Sequence, residues 1–283
     1  MKRSWILLIA LFSIAAVAQS PKSCCEVAGS GSNAKFVALA DDADFRDQHQ
    51  EPRATQLGAV KGQIVTYPAA GGEAQAYYLK SENNSNKWLL VFHEWWGLND
   101  QVKGEAAKLQ SDLGAVNVLC LDLYDGKMAT TREAAGQLMQ NASADRIMAM
   151  IQGAQEYIGS DAKVATIGWC FGGGWSLQAA IAPGESTEGC VMYYGMPETD
   201  AERLAKLDSD VLGIFAGRDQ WINAEVVAEF KANAAKADIG LEVHVYDADH
   251  AFANPTNTIY DEEATEAAYA LTLDYLRQRL MNY

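Results

Sequence analysis

The chain has 283 residues, of which 49% are hydrophobic and 21% are charged, and this balance is typical of a globular protein with one large domain. Its formal net charge is −15. A surface this acidic repels nucleic acid and anionic lipid, so we expect no nucleic-acid partner.

The first 18 residues have the pattern of a cleaved signal peptide. Lys2 and Arg3 form a basic start, residues 5–15 are an apolar run broken only by Ser13, and residues 16–18 (Ala-Val-Ala) have the small side chains of a cleavage site. A membrane anchor is the alternative, but the apolar run is too short to span a bilayer comfortably. We therefore expect a secreted or periplasmic protein with no stable membrane span after cleavage.

Residues 19–60 are predicted to form a linker and an N-terminal arm that precede a folded domain at 61–283. The Gly-Ser-Gly-Ser sequence at 29–32 is typical of a flexible linker. Residues 34–60 are polar and weakly patterned, so we expect an arm with about one helical turn.

Five cysteines leave the disulfide pattern open. Cys24 and Cys25 are adjacent, and neighbours rarely bond to each other. They could stay free, bond to another chain, or bond to Cys120 or Cys190, although both of these lie in apolar runs that favour a core position. No Cys/His spacing indicates zinc, and we expect no metal and no organic cofactor.

From residue 63 onward, strand patterns alternate with helix patterns. Short apolar runs predict strands at 63–67, 76–79, 88–93, 118–123, 164–168, 190–194, 211–216 and 241–246. Amphipathic or small-residue stretches predict helices at 102–113, 144–157, 174–182, 224–237 and 262–280. This alternation predicts an α/β fold, with a mostly parallel, doubly wound sheet and helices on both faces. Reactive loops are then expected at the carboxyl ends of the strands.

The strongest motif is Gly168-Trp169-Cys170-Phe171-Gly172, which follows a predicted strand and precedes a predicted helix. It matches the G-x-nucleophile-x-G elbow of the α/β-hydrolase fold, with cysteine in the serine position. The two glycines are required because a side chain at either would crowd the crossing strand and helix. The dipole of the following helix favours a thiolate. A buried structural cysteine beside a glycine-rich turn is the alternative.

A thiol nucleophile needs a base and a group that orients the base. His250 follows the last predicted strand, where this fold places its base, whereas His49 lies in the polar arm and His244 lies inside a strand. Asp219 comes between nucleophile and histidine in chain order, in a tight turn after a strand. We therefore predict a triad of Cys170, Asp219 and His250. A surface-loop histidine and an ordinary turn aspartate are the alternatives.

The loop after the predicted strand 88–93 should complete an oxyanion hole. In this fold it supplies one amide and the residue after the nucleophile supplies the other, so we predict the backbone N–H groups of Trp95 and Phe171. Glu94 is unexpected there, because a carboxylate opposes the developing negative charge. It is either a solvated loop acid or a partner of the Cys170 thiol.

Several side chains around this loop are candidates for a substrate pocket, although some of the tryptophans are expected to be plain core. The candidates are His93, Trp96, Trp169 and Arg132, with Trp95 and Trp175 as further aromatic lining.

Six motifs in order resemble the dienelactone hydrolase family, from about residue 62 to the C-terminus. They are Gly168-Trp169-Cys170-Phe171-Gly172-Gly173, His93-Glu94-Trp95-Trp96-Gly97-Leu98-Asn99, Asp122-Leu123-Tyr124, Tyr193-Tyr194-Gly195, Gly217-Arg218-Asp219 and Tyr246-Asp247-Ala248-Asp249-His250-Ala251-Phe252.

The resemblance implies that Glu94 holds the resting thiol of Cys170 until substrate displaces the carboxylate, which then helps to generate the thiolate. It also implies arginines that bind a substrate carboxylate, one of them shortly after the His-x-Phe segment. Here Asn254 stands at that place, and Arg132 is the candidate for a second arginine. A neutral ester, thioester or lactone is therefore as good a candidate substrate as a dienelactone.

These observations predict a hydrolase that cleaves a small-molecule ester or lactone through an acyl-thioester on Cys170. We expect a monomer or a small homo-oligomer. The alternative is a non-catalytic protein that binds a ligand or partner on the same fold. A thiol redox protein is a third interpretation, but the sequence offers no resolving cysteine near Cys170.

Overall fold

The computed structural model describes residues 30–53, 62–182 and 187–281. The predicted signal peptide at 1–18 and the Cys24–Cys25 pair lie outside these residues. Within them, Cys120, Cys170 and Cys190 are free and buried. No helix in this part of the chain is long and apolar enough to cross a membrane.

Eight strands in the described ranges form one sheet, in the order β1-β2-β4-β3-β5-β6-β7-β8. The β1/β2 and β2/β4 pairs are antiparallel, and every later pair is parallel. The predicted mostly parallel sheet is therefore confirmed. The strands are β1 (Gln63–Ala69), β2 (Gly72–Leu79), β3 (Lys87–Phe92), β4 (Asn117–Leu121), β5 (Lys163–Trp169), β6 (Thr187–Tyr193), β7 (Val211–Ala216) and β8 (Leu241–Tyr246).

All five predicted helices are present, and the structure adds α4 and the one-turn α7 within the domain. The helices are α1 (Ser30–Ala38), α2 (Ala43–Gln48), α3 (Asp100–Leu113), α4 (Arg132–Asn141), α5 (Ala144–Ile158), α6 (Phe171–Ile181), α7 (Ala201–Leu204), α8 (Ala224–Lys236) and α9 (Glu262–Leu276). A 3-10 turn (Leu39–Asp41) joins α1 to α2, and a π-helical turn (Arg277–Met281) follows α9.

Polar side chains fix where several of these helices begin. Asn99 accepts a hydrogen bond from the backbone of α3, and Thr131, Ser143, Asn223 and Asp261 do the same for α4, α5, α8 and α9. Helix α6 is different, because its first residue follows Cys170 directly and the Cys170 side chain makes no capping bond.

The N-terminal arm is more helical than predicted. It contains α1, the 3-10 turn and α2, and α1 begins at Ser30, inside the segment predicted to be a flexible linker. Phe36 and Phe45 are fully buried although the surrounding sequence is polar. Helices this short are marginal alone in water, so their stability comes from packing against the domain. The weak local pattern could not show that packing.

Candidate active site

The predicted elbow forms a sharp turn between β5 and α6. Cys170 has φ 55° and ψ −120°, a left-handed backbone conformation that few non-glycine residues adopt. A Cβ added at Gly168 would lie 2.1 Å from the Gly172 carbonyl oxygen, and one at Gly172 would lie 2.2 Å from the Phe92 carbonyl oxygen. The glycines are therefore needed for the close approach that the sequence predicted.

Asp219 and His250 meet at the carboxyl ends of β7 and β8. The Nδ1 of His250 lies 2.5 Å from Oδ2 of Asp219, and both side chains are fully buried. The other Asp219 oxygen accepts hydrogen bonds from the backbone amides of Trp221 and Ile222, each at 2.9 Å. Both carboxylate oxygens are thus bonded, which fixes the carboxylate against the imidazole.

Charge interactions outweigh burial at this pair. Burial would raise the pKa of Asp219, but the His250 imidazolium and the two amides lower it. Burial would lower the pKa of His250, but Asp219 and the Cys170 sulfur raise it to about 10. The geometry therefore favours a proton on His250 whenever the sulfur carries a negative charge.

The Cys170 thiol is fully buried above the N-terminus of α6. Burial raises its pKa most, and His250 lowers it in part. The charge of Glu94 raises the pKa further, and the Phe171 backbone N–H lowers it to a smaller extent. The resting sulfur is therefore a thiol. Its Sγ and the Nε2 of His250 lie within 4.8 Å of each other, without the geometry of a hydrogen bond.

Glu94 lies buried in the loop after β3 and bonds to Asn254, a contact that was not predicted from the sequence. Its Oε2 accepts a hydrogen bond from Nδ2 of Asn254 at 2.6 Å. Asn254 is fixed in turn, because its Oδ1 accepts from the backbone N–H and the hydroxyl of Thr256. Burial raises the pKa of Glu94 to about 7, although the hydrogen bond from Asn254 and the charge of His250 lower it in part. Glu94 therefore changes charge near neutral pH.

The four predicted pocket residues have different surroundings. His93 is buried between the backbone of Glu94, whose oxygen lies 2.6 Å from Nδ1, and the Leu123 amide, which donates to Nε2 at 3.0 Å. His93 thus connects the loop after β3 to the loop after β4. Trp96 packs edge-on against Trp95, with ring centres 5.1 Å apart, and the Trp169 ring lies 5.6 Å from that of Tyr193.

Arg132, predicted to bind substrate, forms an ion pair with the arm instead. Its Nη1 lies 2.7 Å from Oδ1 of Asp47, near the surface of the protein. In this structure the guanidinium is therefore occupied by a carboxylate of the same chain.

His49 is the residue that sequence reasoning set aside and that the structure brings to the thiol of Cys170. Its Nε2 lies 3.6 Å from Sγ of Cys170, although the two residues are 121 positions apart. Its Nδ1 lies 2.7 Å from the Phe45 carbonyl oxygen. Because a carbonyl only accepts, Nδ1 carries the hydrogen and Nε2 presents a lone pair to the thiol. Burial, with help from His250, lowers the pKa of His49 to about 3, so its ring is neutral.

The arm covers the cleft with two phenylalanines. The Phe36 ring lies 6.3 Å from that of Phe171 and 6.4 Å from that of His250. The Phe45 ring packs against those of Trp95, Trp221 and His250, at 5.6, 5.1 and 5.8 Å. Cys170 and His250 have no exposed surface as a result. A substrate can therefore reach the thiol only if the arm moves.

The i, i+4 spacing of Phe45 and His49 is the one sequence signal that could have indicated this arrangement, and it was not used. It places the two rings on one side of α2, 4.2 Å apart. Nothing local indicated which part of the domain that side would contact.

Comparison with known proteins identifies the family. The model of the dienelactone hydrolase family matches residues 74–280. A carboxymethylenebutenolidase from a Pseudomonas species is 28% identical over 222 residues, which cover 74% of this chain and 91% of the relative. Carboxymethylenebutenolidase 1 from Cupriavidus pinatubonensis is 24% identical over 222 residues, which cover 73% and 92%.

Solved structures show the same fold. The dienelactone hydrolase from Anabaena variabilis superimposes with a TM-score of 0.58 at 16% identity, covering 82% of this chain and all of that one. A dienelactone hydrolase-like promiscuous phosphotriesterase from metagenomic libraries superimposes with a TM-score of 0.67 at 22% identity, covering 78% and 99%. The predicted α/β-hydrolase fold is thus confirmed.

Proposed function

Because this chain belongs to the dienelactone hydrolase family and is a hydrolase of esters or lactones, we propose that it acts through a Cys170–His250–Asp219 triad. The observation that supports this proposal most is the buried His250–Asp219 pair beside the elbow thiol. Asp219 orients the imidazole so that Nε2 is free to take the thiol proton.

The reaction has two halves. His250 accepts the proton of Cys170 as the sulfur attacks the substrate carbonyl, and the resulting tetrahedral intermediate expels the alkoxide, which leaves with that proton. Water then attacks the acyl-thioester, gives a proton to His250, and releases the acid as the thiolate leaves and regains the proton. The backbone N–H groups of Phe171 and Trp95 are proposed to stabilise both oxyanions. The effect of the Phe171 amide on the thiol pKa supports its part in this site.

Glu94 is proposed to restrain the thiol before substrate arrives. Its negative charge raises the pKa of Cys170, so the reactive thiolate is disfavoured while Glu94 is ionised. A pKa of about 7 allows Glu94 to take up a proton when substrate enters. This order of events limits exposure of a thiolate to oxidants.

We propose an ester or lactone with no carboxylate next to the reacting carbonyl. Asn254 is neutral and bonds to Glu94, so this side of the site offers an anion no cation. Arg132 is paired with Asp47. An anionic substrate would have to compete for that arginine and would also be repelled by Glu94 in its ionised form.

The test is burst kinetics with p-nitrophenyl acetate, measured on the native protein and on two cysteine variants. Cys170→Ala should lose at least about 10³-fold in turnover, because the covalent route disappears. Cys190→Ala, which removes another buried free thiol, should keep the native rate. Acid-quenched native protein should carry one acetyl group on Cys170 by mass spectrometry. Equal turnover by the native protein and Cys170→Ala would disprove the cysteine mechanism.

Substrate choice can be tested with matched lactones that differ only in a carboxylate. We expect a higher kcat/KM for the neutral member of each pair. An Asn254→Arg variant should narrow or reverse the preference, and a native preference for the carboxylate would disprove the proposed selectivity.

The N-terminal sequence also supports a proposal about where the protein is located. We propose export, with cleavage after residue 18, on the basis of the basic start, the apolar run and the small residues at 16–18. N-terminal sequencing of protein recovered from outside the cytoplasm should begin at Gln19. Recovery of chains that begin at Met1 would disprove it.

A further inference from the structure

Three potential metal ligands meet above the elbow. Nε2 of His49, Sγ of Cys170 and Nε2 of His250 all lie within 4.8 Å of one another, and all three side chains are buried. They come from the arm, from the β5–α6 turn and from the loop after β8. No short sequence spacing links them, and for that reason no zinc site was predicted from the sequence.

Each imidazole is oriented by a hydrogen bond on its far nitrogen. Nδ1 of His49 donates to the Phe45 carbonyl, and Nδ1 of His250 donates to the Asp219 carboxylate. Such second partners fix the tautomer and raise the basicity of histidines that bind metals. Nε2 is therefore the nitrogen of each ring that faces the thiol, and Nε2 of His250 has no hydrogen-bond partner in the described part of the chain.

We propose that His49, Cys170 and His250 bind a zinc-like divalent cation. One thiolate and two neutral imidazoles are the donor set that zinc and its neighbours in the transition series prefer over magnesium or calcium. In tetrahedral zinc sites a sulfur and a nitrogen ligand lie about 3.5 Å apart. The 3.6 Å between Sγ of Cys170 and Nε2 of His49 matches this edge.

Charge balance supports binding of a divalent ion in this buried place. Cys170 loses its thiol proton to solvent as the metal–sulfur bond forms, and His250, whose pKa is raised, gives up the proton on Nε2. His49 is already neutral and binds without losing a proton. The thiolate and the Asp219 carboxylate then compensate the two positive charges. Uncompensated charge would be costly here, because the site is closed to water.

Metal binding would silence the nucleophile and fix the arm in place. The sulfur lone pair that attacks a carbonyl would be shared with the cation, and His49 would tie α2 to the elbow. The inhibitory consequence rests on the proposed function, whereas binding itself does not. A zinc-loaded protein should therefore be both inactive and closed.

The experiment is a cobalt(II) titration of the reduced protein, read by absorbance with no substrate present. We expect one equivalent to produce a thiolate-to-cobalt charge-transfer band, which zinc abolishes by displacement and magnesium leaves unchanged. Cys170→Ser should remove the band. His49→Ala should weaken binding by about 100-fold or more, since loss of even a second-shell partner costs 10 to 100-fold.

His244→Ala is the matched control, because this histidine lies on β8 and pairs with Glu242. It should bind cobalt as the native protein does. If His49→Ala alters the fold of the arm, His49→Gln, which has a side chain of similar length, should show the same loss of affinity. An absent thiolate band, or equal affinity of the native protein and both His49 variants, would disprove the site. Neither result depends on whether Cys170 turns over esters.

Discussion

The elbow and the arm contribute to the same site but are encoded in different ways. The elbow is local: Gly168, Cys170 and Gly172 lie within five consecutive residues, and their spacing alone dictates the turn. The arm reaches the thiol through His49, across 121 positions, and depends on contacts that no neighbouring residue specifies. The sequence can therefore reveal the reactive motif of a site without revealing that another segment of the same chain covers it.

The largest effect should follow from a substitution in the elbow. Gly172→Ala would place a Cβ 2.2 Å from the Phe92 carbonyl oxygen and 2.5 Å from that of His93. Both neighbours are backbone, so the strand and helix must separate, at a cost of more than about 3 kcal/mol. We expect loss of ester hydrolysis and a clear fall in the free energy of unfolding, measured by urea denaturation.

Gly31→Ala in α1 is the matched control for that substitution. A Cβ there meets nothing within 4 Å, and alanine favours a helix by up to about 1 kcal/mol. It should leave the stability of the domain unchanged. If Gly31→Ala lowers the free energy of unfolding as much as Gly172→Ala does, the proposed contrast between the elbow and the arm is wrong.

The next effect should separate the arm from the domain. Phe45→Ala removes a fully buried ring, and such truncations cost about 3 kcal/mol or more. Because the lost contacts lie between arm and domain, we expect faster labelling of Cys170 by iodoacetamide with little change in domain unfolding. Phe230→Ala, a buried ring in α8, should instead lower the stability of the whole domain. Unchanged labelling in Phe45→Ala would show that the arm does not control access.

A smaller effect should appear with pH. The pKa of His49 is lowered to about 3 in the docked arm, whereas a released histidine titrates near 6.5. A lowered histidine pKa means that docking is fully favourable above about 6.5 and weakens as the pH falls toward 3. At pH 5 the loss is roughly 2 kcal/mol. The protection factors of the α2 amides, which correct hydrogen exchange for the slower intrinsic rate at lower pH, should therefore fall between pH 6.5 and 5, and His49→Phe should abolish this dependence.

Much of the fold was predictable because the sheet is encoded in continuous apolar runs. The predicted limits of β7 and β8 agree with the structure residue for residue, since both strands are bounded by turn residues. Helix α4 was missed because Arg132 was considered only as a substrate ligand, and not as the first residue after the Thr131 cap.

The close pairs within the site were harder to predict. Asp219 and His250 were placed together by the chain order of a known constellation, without any local signal of their contact. No such rule links Asn254 to Glu94, which are 160 positions apart, or Arg132 to Asp47. These pairs depend on how loops from different strands meet, and a single sequence does not contain that information.

The position of the arm also sets the order in which the molecule can be completed during synthesis. Helices α1 and α2 leave the ribosome before the domain does, but the surface that buries Phe45 includes Trp95, Trp221 and His250. Almost the whole chain must be made before that surface exists. The arm is thus made before the surface on which it docks, and until that surface forms its two phenylalanines are exposed to chaperones and to other nascent chains.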